Sequence, residues 1–238
     1  MAQVDNRPTP PPGQGRPLPS AARPGAWSLV LPLKPLALAK SRLAQATGEL
    51  RPGLALAFAL DTAAAALECA EVGRLLVVTD DPVAGAELAA LGALVVPDAP
   101  AAGLNAALRH GAAVARTAHG AGPVAAMSAD LPALRPAELG RVLRAAAGHP
   151  RAFLADTQGV GTTLLAAAAG VPLGPAFGGA SRLRHAASGA RELTLADVPS
   201  LRRDVDTPDD LRTALELGAG PRTASLSALV ALGPRHRA

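Results

Sequence analysis

RLLVVTDDPVAGAELAAL, residues 74–91, decides the fold. After its first arginine, RLLVVT (74–79) is apolar without alternation, the pattern of a strand covered on both faces. PVAGAELAAL (82–91) is alanine-rich and predicts a helix. Only Asp80 and Asp81 separate the two. Outward from this unit the same pairing recurs. Strands are predicted at 28–33, 93–96, 123–128, 151–155 and 162–167, and helices at 53–70, 103–118 and 136–147. Alternation of this kind implies an α/β fold, a three-layer α/β/α sandwich with a mostly parallel sheet. Ligands of such sheets bind beyond the carboxyl ends of the strands. Four polar strand ends therefore matter: PLKPLALAKSRL (32–43), TDD (79–81), SADLPAL (128–134) and DTQGVGTT (156–163).

The flanks differ from this body. Residues 1–26 are rich in proline and glycine and are expected to form a disordered leader. Residues 219–238 are expected to form a flexible basic tail, leaving 27–218 as the domain. The net charge of +4 sits in these flanks: +2 in the leader and +3 in the tail, which leaves −1 for the body. A body without surplus positive charge, in a chain only 2% aromatic, does not fit a nucleic-acid binder. Cys69 is the single cysteine, so a disulfide framework is excluded. The most apolar stretch, GLALAFAL (53–60), is interrupted by Asp61 before it reaches the length of a membrane span. The N-terminus has no apolar signal core, so a cytoplasmic protein with no membrane partner is expected.

RRDVDTPDDL (202–211) places four carboxylates within seven positions. Thr207 before Pro208 predicts a helix start, with Asp210 three residues on as an acidic capping box and Asp209 beside it in the first turn. Asp204 and Asp206 are left, on one face of an extended segment. Their repulsion calls for a positive partner. Arg202 and Arg203 would serve, and so would a hard divalent cation with oxygen ligands. Asp130, directly after a buried strand, is either a turn aspartate or a third ligand.

Lys34, Lys40 and Arg42 follow the first strand and offer donors suited to phosphate. GVGTT (159–163) is either a hairpin turn or a loop whose amides approach an anion. FGGASRLRH (177–185) runs from a glycine turn into a helix start at Ser181, with Arg184 and His185 further on; it reads as an anion site or an ordinary helix start. No dinucleotide fingerprint or P-loop is present. His110, His119, His149 and His236 lack ligand spacing and are expected at the surface.

Taken in order, PLKPLALAKSRL, GLNAAL (103–108), SADLPAL, GVGTTLL, FGGASRLRH and RRDVDTPDDL resemble the phosphoenolpyruvate and 2-phospho-L-lactate guanylyltransferases of coenzyme F420 biosynthesis, within the MobA-like nucleotidyltransferase fold. The resemblance spans residues 27–218. It implies that Asp130, Asp204 and Asp206 hold a pair of Mg2+ ions, with Lys34 beside them at the catalytic centre. It implies that Thr162, or Thr163 in the adjacent register, meets the three-carbon phosphoacid together with Gly178 and Ser181. By analogy with related nucleotidyltransferases, Lys34, Lys40 and Arg42 hold the GTP triphosphate and Asn105 lies near the nucleoside. The implied reaction is in-line attack of phosphoenolpyruvate or 2-phospho-L-lactate on the α-phosphorus of GTP, with diphosphate leaving and no general base required. Two rivals stay open: a relative acting on a sugar phosphate or molybdopterin, and a non-catalytic nucleotide-binding regulator. The residues do not distinguish the two phosphoacids, and the oligomeric state is not readable.

Overall fold

Along residues 75–78, side chains alternate between two separate cores. Leu75 and Val77 enter one cluster, Leu76 and Val78 the other. Both faces of the strand are covered, which explains its unbroken apolarity. The computed structural model describes residues 26–230. The expected leader, apart from Ala26, and the tail beyond 230, with His236, lie outside the described residues.

The order is β1 (Trp27–Pro32), α1 (Ala44–Thr47), α2 (Arg51–Glu68), β2 (Val72–Val78), α3 (Pro82–Leu91), β3 (Leu94–Val96), α4 (Leu104–His119), β4 (Val124–Met127), α5 (Pro136–Ala146), β5 (Arg151–Ala155), β6 (Thr162–Ala167), α6 (Ser181–Ala187), β7 (Arg191–Glu192), α7 (Pro199–Arg202), α8 (Pro208–Glu216) and α9 (Pro221–Ser227). One sheet runs β3-β2-β1-β4-β6-β5-β7. Helices α2, α3 and α5 cover one face and α4 the other. This is the three-layer sandwich expected.

The sheet is parallel except at β6, which runs antiparallel to both β4 and β5. The reason is local. Only residues 156–161 join β5 to β6, too few for the crossover that a parallel pair needs. Asp156 closes this hairpin by accepting the amides of Val160 (2.9 Å) and Gly161 (2.8 Å). Gly159 supplies a positive φ of 70°. The glycines of GVGTT are thus turn glycines. Reversing β6 carries its first residue, Thr162, to the edge of the sheet where β4 ends.

The expectation of a flexible tail from 219 is corrected over its described part. α9 packs on α2, with Leu226 and Val230 set against a third core cluster that includes Leu54 and Phe58. Asp61, the acid that interrupts the apolar helix, anchors it. Its buried carboxylate accepts the amides of Thr223 (2.8 Å) and Arg222 (3.3 Å) and lies 3.5 Å from the Arg222 guanidinium. By length and composition alone Ser41–Glu68 would suit a membrane. Here α2 is a core helix, packed against the sheet on one side and against α8 and α9 on the other.

Candidate active site

One backbone bond explains why distant acids meet. The Val205 amide donates to the carbonyl of Asp130 at 3.1 Å, while the Val205 side chain is fully buried. Burying Val205 turns its neighbours Asp204 and Asp206 away from that core, beside the strand end that carries Asp130. The segment then enters α8 through the expected capping box. Thr207 Oγ1 accepts the Asp210 amide (3.2 Å), and Asp210 Oδ2 accepts the Thr207 amide (2.9 Å). Two of the four acids therefore start a helix. Asp204, Asp206 and Asp130 line a cavity of about 740 Å3 at the carboxyl edge of the sheet, a volume within the range of small-molecule sites.

Lys34, Lys40 and Arg42 line the same cavity. Lys40 Nζ is hydrogen-bonded to Asp130 Oδ2 and, at 2.9 Å, to Asp206 Oδ1; Arg42 stands 3.9 Å from Asp206 Oδ2. Burial works against the Lys40 charge, but Asp130 and Asp206 outweigh it and hold its pKa above the usual lysine range. The Lys40 backbone is left-handed, at φ 54°, a conformation costing roughly 1–2 kcal/mol outside glycine. Arg51 holds this loop by donating to the carbonyls of Ala37 (2.9 Å) and Ala39. Asp81 holds its start by accepting the Leu36 amide at 2.8 Å, while also capping α3.

The positive partner is thus neither of the arginines next in sequence to the acids. Arg202 turns inward and donates to the carbonyls of Ala155 (3.0 Å), Leu195 (3.2 Å) and Leu193 (3.4 Å). Lys40 alone does not balance three carboxylates. Burial, then the charges of Asp130 and Asp206, push the Asp204 pKa up to about 7. No three acidic, histidine or cysteine side chains among the described residues gather closely enough to hold an ion as they stand. The Lys40 ammonium occupies the place of a cation between two of them.

Hydroxyls and glycines belong to the same cavity. Thr162, Gly178 and Ser181 line it; Thr163, one register on, is buried and does not. Gly178 (φ 95°) and Gly179 (φ 42°) take left-handed conformations that let the backbone bend sharply into α6. Asn105 departs from expectation. Its amide clamps the Phe177 backbone, accepting the Phe177 N–H at 2.8 Å and donating to its carbonyl at 3.1 Å, so it braces the glycine loop and does not line the cavity. Arg184 likewise donates to the carbonyls of Ala176 (3.1 Å) and Gly178. Sequence reasoning missed Asp98 as a lining residue, and Asp80, which accepts the Asp98 amide at 2.9 Å, was noted only as part of a strand end. It also missed the bonding of His185. Placement after a strand was the signal for Asp80, and the same signal, passed over, marked Asp98 two residues beyond the predicted strand 93–96.

Comparison with known proteins agrees with this architecture. Residues 57–198 match the MobA-like NTP transferase domain. The chain is 68% identical over 202 residues to the phosphoenolpyruvate guanylyltransferase of Thermomonospora curvata, covering 85% of this chain and 89% of that one. It is 64% identical over 203 residues to that of Streptomyces coelicolor, covering 85% and 96%. A solved nucleotidyl transferase from Methanothermobacter superposes with a TM-score of 0.54 at 20% identity, covering 81% of this chain and 97% of the other, and shares the fold.

Proposed function

Because the chain belongs to the phosphoenolpyruvate guanylyltransferases, within the MobA-like NTP transferases, we propose that this cavity transfers GMP from GTP to phosphoenolpyruvate and releases diphosphate. A single observation carries the reading at the level of the site: Asp130, Asp204 and Asp206 share one cavity with Lys34, Lys40 and Arg42, and the Thr162 and Ser181 hydroxyls line it too.

Lys34, Lys40 and Arg42 are donors only, which suits a triphosphate. Asp130, Asp204 and Asp206 offer only oxygen, the donor set of a hard divalent cation. Burial first, and then the charges of Asp130 and Asp206, raise the Asp204 pKa, and a cation beside these carboxylates would favour its ionised form. Such a cation, Mg2+ on this reading, would supply charge neutralisation at the phosphates. Lys40, released from the carboxylates, reaches the triphosphate. On the same cavity Thr162 and the backbone at Gly178 hold the phosphoacid, with Ser181 supporting Thr162 through its hydroxyl. A bond forms between its phosphate oxygen and the α-phosphorus; the bond to the β-phosphate oxygen breaks, and diphosphate leaves with the electron pair. The attacking oxygen is already ionised, so the residues align and neutralise and need take no proton. Asp80 and Asp98 present acceptors, which the N1–H and 2-amino group of guanine require and adenine does not match. Action in the cytoplasm, within coenzyme F420 biosynthesis, belongs to the same reading.

The test is diphosphate release with GTP or ATP against phosphoenolpyruvate, 2-phospho-L-lactate and a sugar 1-phosphate. Turnover with GTP and phosphoenolpyruvate is expected. Turnover of the sugar phosphate with none of phosphoenolpyruvate would overturn the reading, as would tight GTP binding without release for any acceptor.

A further inference from the structure

His185 is fully buried, packed between Phe153 (ring centroids 5.7 Å apart) and, edge-on, Phe177 (5.1 Å). The Ala176 N–H donates to its Nε2 at 3.0 Å. A backbone amide can only donate, so Nε2 is the bare nitrogen, and a neutral ring then carries its proton on Nδ1. Nδ1 lies 2.9 Å from Thr162 Oγ1 and donates to it. Ser181 Oγ donates to the same oxygen at 3.1 Å. A hydroxyl has two lone pairs and one proton. With both lone pairs engaged from the protein side, the proton is left for the open side of Thr162, the cavity that it lines.

We propose that His185 is a positioning residue that fixes the Thr162 hydroxyl as a donor aimed at the anionic acceptor. The inference rests on the reading that Thr162 meets the phosphoacid. Carboxylate and phosphate oxygens only accept, so a Thr162 free to rotate would present a lone pair to them part of the time. Locked as a donor, it forms a charge-assisted bond without first paying to reorient. The opposite tautomer would set two N–H groups against each other at Nε2 and leave Nδ1 to take the Thr162 proton. The environment keeps the ring neutral: burial, with Arg151 and Arg184 nearby, lowers its pKa to about 4. Phe177, which lines the cavity and flanks the ring, ties the same histidine to the glycine loop.

The test compares His185→Leu, His185→Asn and Thr162→Val with the unaltered enzyme, reading KM for each substrate, kcat and melting temperature. Leucine fills the space without a donor; asparagine restores an N–H near the Nδ1 position. His185→Leu should raise KM for phosphoenolpyruvate about tenfold with KM for GTP nearly unchanged, and His185→Asn should recover most of that loss. Adding His185→Leu to Thr162→Val should cost little more, because the two act through one hydroxyl. If Thr162→Val raises the phosphoenolpyruvate KM and His185→Leu does not, the positioning role fails while the acceptor reading stands. If Thr162→Val leaves that KM unchanged, the acceptor reading fails and this inference with it. Equal rises in both KM values without rescue by asparagine would make His185 merely structural. Should the leucine variant not fold, nitrogen-15 NMR of the unaltered protein still decides: the Nδ1–H tautomer is required, and an Nε2–H signal for His185 overturns the proposal.

Discussion

At the carboxylate of Asp204, folding works against charge. Its pKa of about 7 lies above the ordinary aspartate value, through burial and the neighbouring Asp130 and Asp206. The sign follows by linkage: the stability Asp204 contributes is fully present below about pH 4 and is lost as pH rises through about 7. In chelator, Asp204→Asn should therefore raise the melting temperature at about pH 8 and leave it unchanged at about pH 4, and Mg2+ with GTP should stabilise the unaltered protein more than the variant. An identical pH profile for the two would contradict the assignment. Residues of this kind were partly legible. Asp204 and Asp206 stood out because crowded like charges demand a partner. The partner itself did not, because Lys40 reaches them only through a left-handed turn held by Arg51, and nothing near residue 204 encodes that turn. His185 stood only at the end of a segment read as an anion site or an ordinary helix start, since burial of a histidine leaves no local mark.

At the scale of elements, α4 lies so close to the sheet that its mid-helix glycine is required. A Cβ at Gly111 would fall 2.6 Å from Val30 Cγ1 and 2.7 Å from Val78 Cγ2. Gly111→Ala improves helix propensity by about 1 kcal/mol, but the clash with two buried β-branched side chains costs about 1–3 kcal/mol. The clash should win. Denaturant unfolding should show net destabilisation; a gain in stability would mean that α4 sits further from β1 and β2. Strands and long helices were legible because both faces of the sheet are covered, giving unbroken apolar runs. The reversal of β6 was signalled only by the short link of residues 156–161. Helix α9 was hidden because its docking depends on Asp61, far away in α2, and on two apolar residues in a short segment that otherwise reads as a tail.

For the whole molecule, the consequence of this topology is convergence. β1 and β4 end at one edge, β6 begins there, and the Val205–Asp130 bond lays the last acids beside them. Lys40 then holds together carboxylates that would otherwise repel, a resting arrangement which GTP and metal are expected to break. The most direct measurement is a crystal structure with Mn2+, GTP and a non-reactive phosphoacid, read by anomalous scattering. The account predicts a manganese peak at about 2.0–2.3 Å from oxygens of Asp130, Asp204 and Asp206, with Lys40 withdrawn to the triphosphate. A peak elsewhere, or Lys40 still paired with Asp130 and Asp206 while GTP is bound, would contradict it.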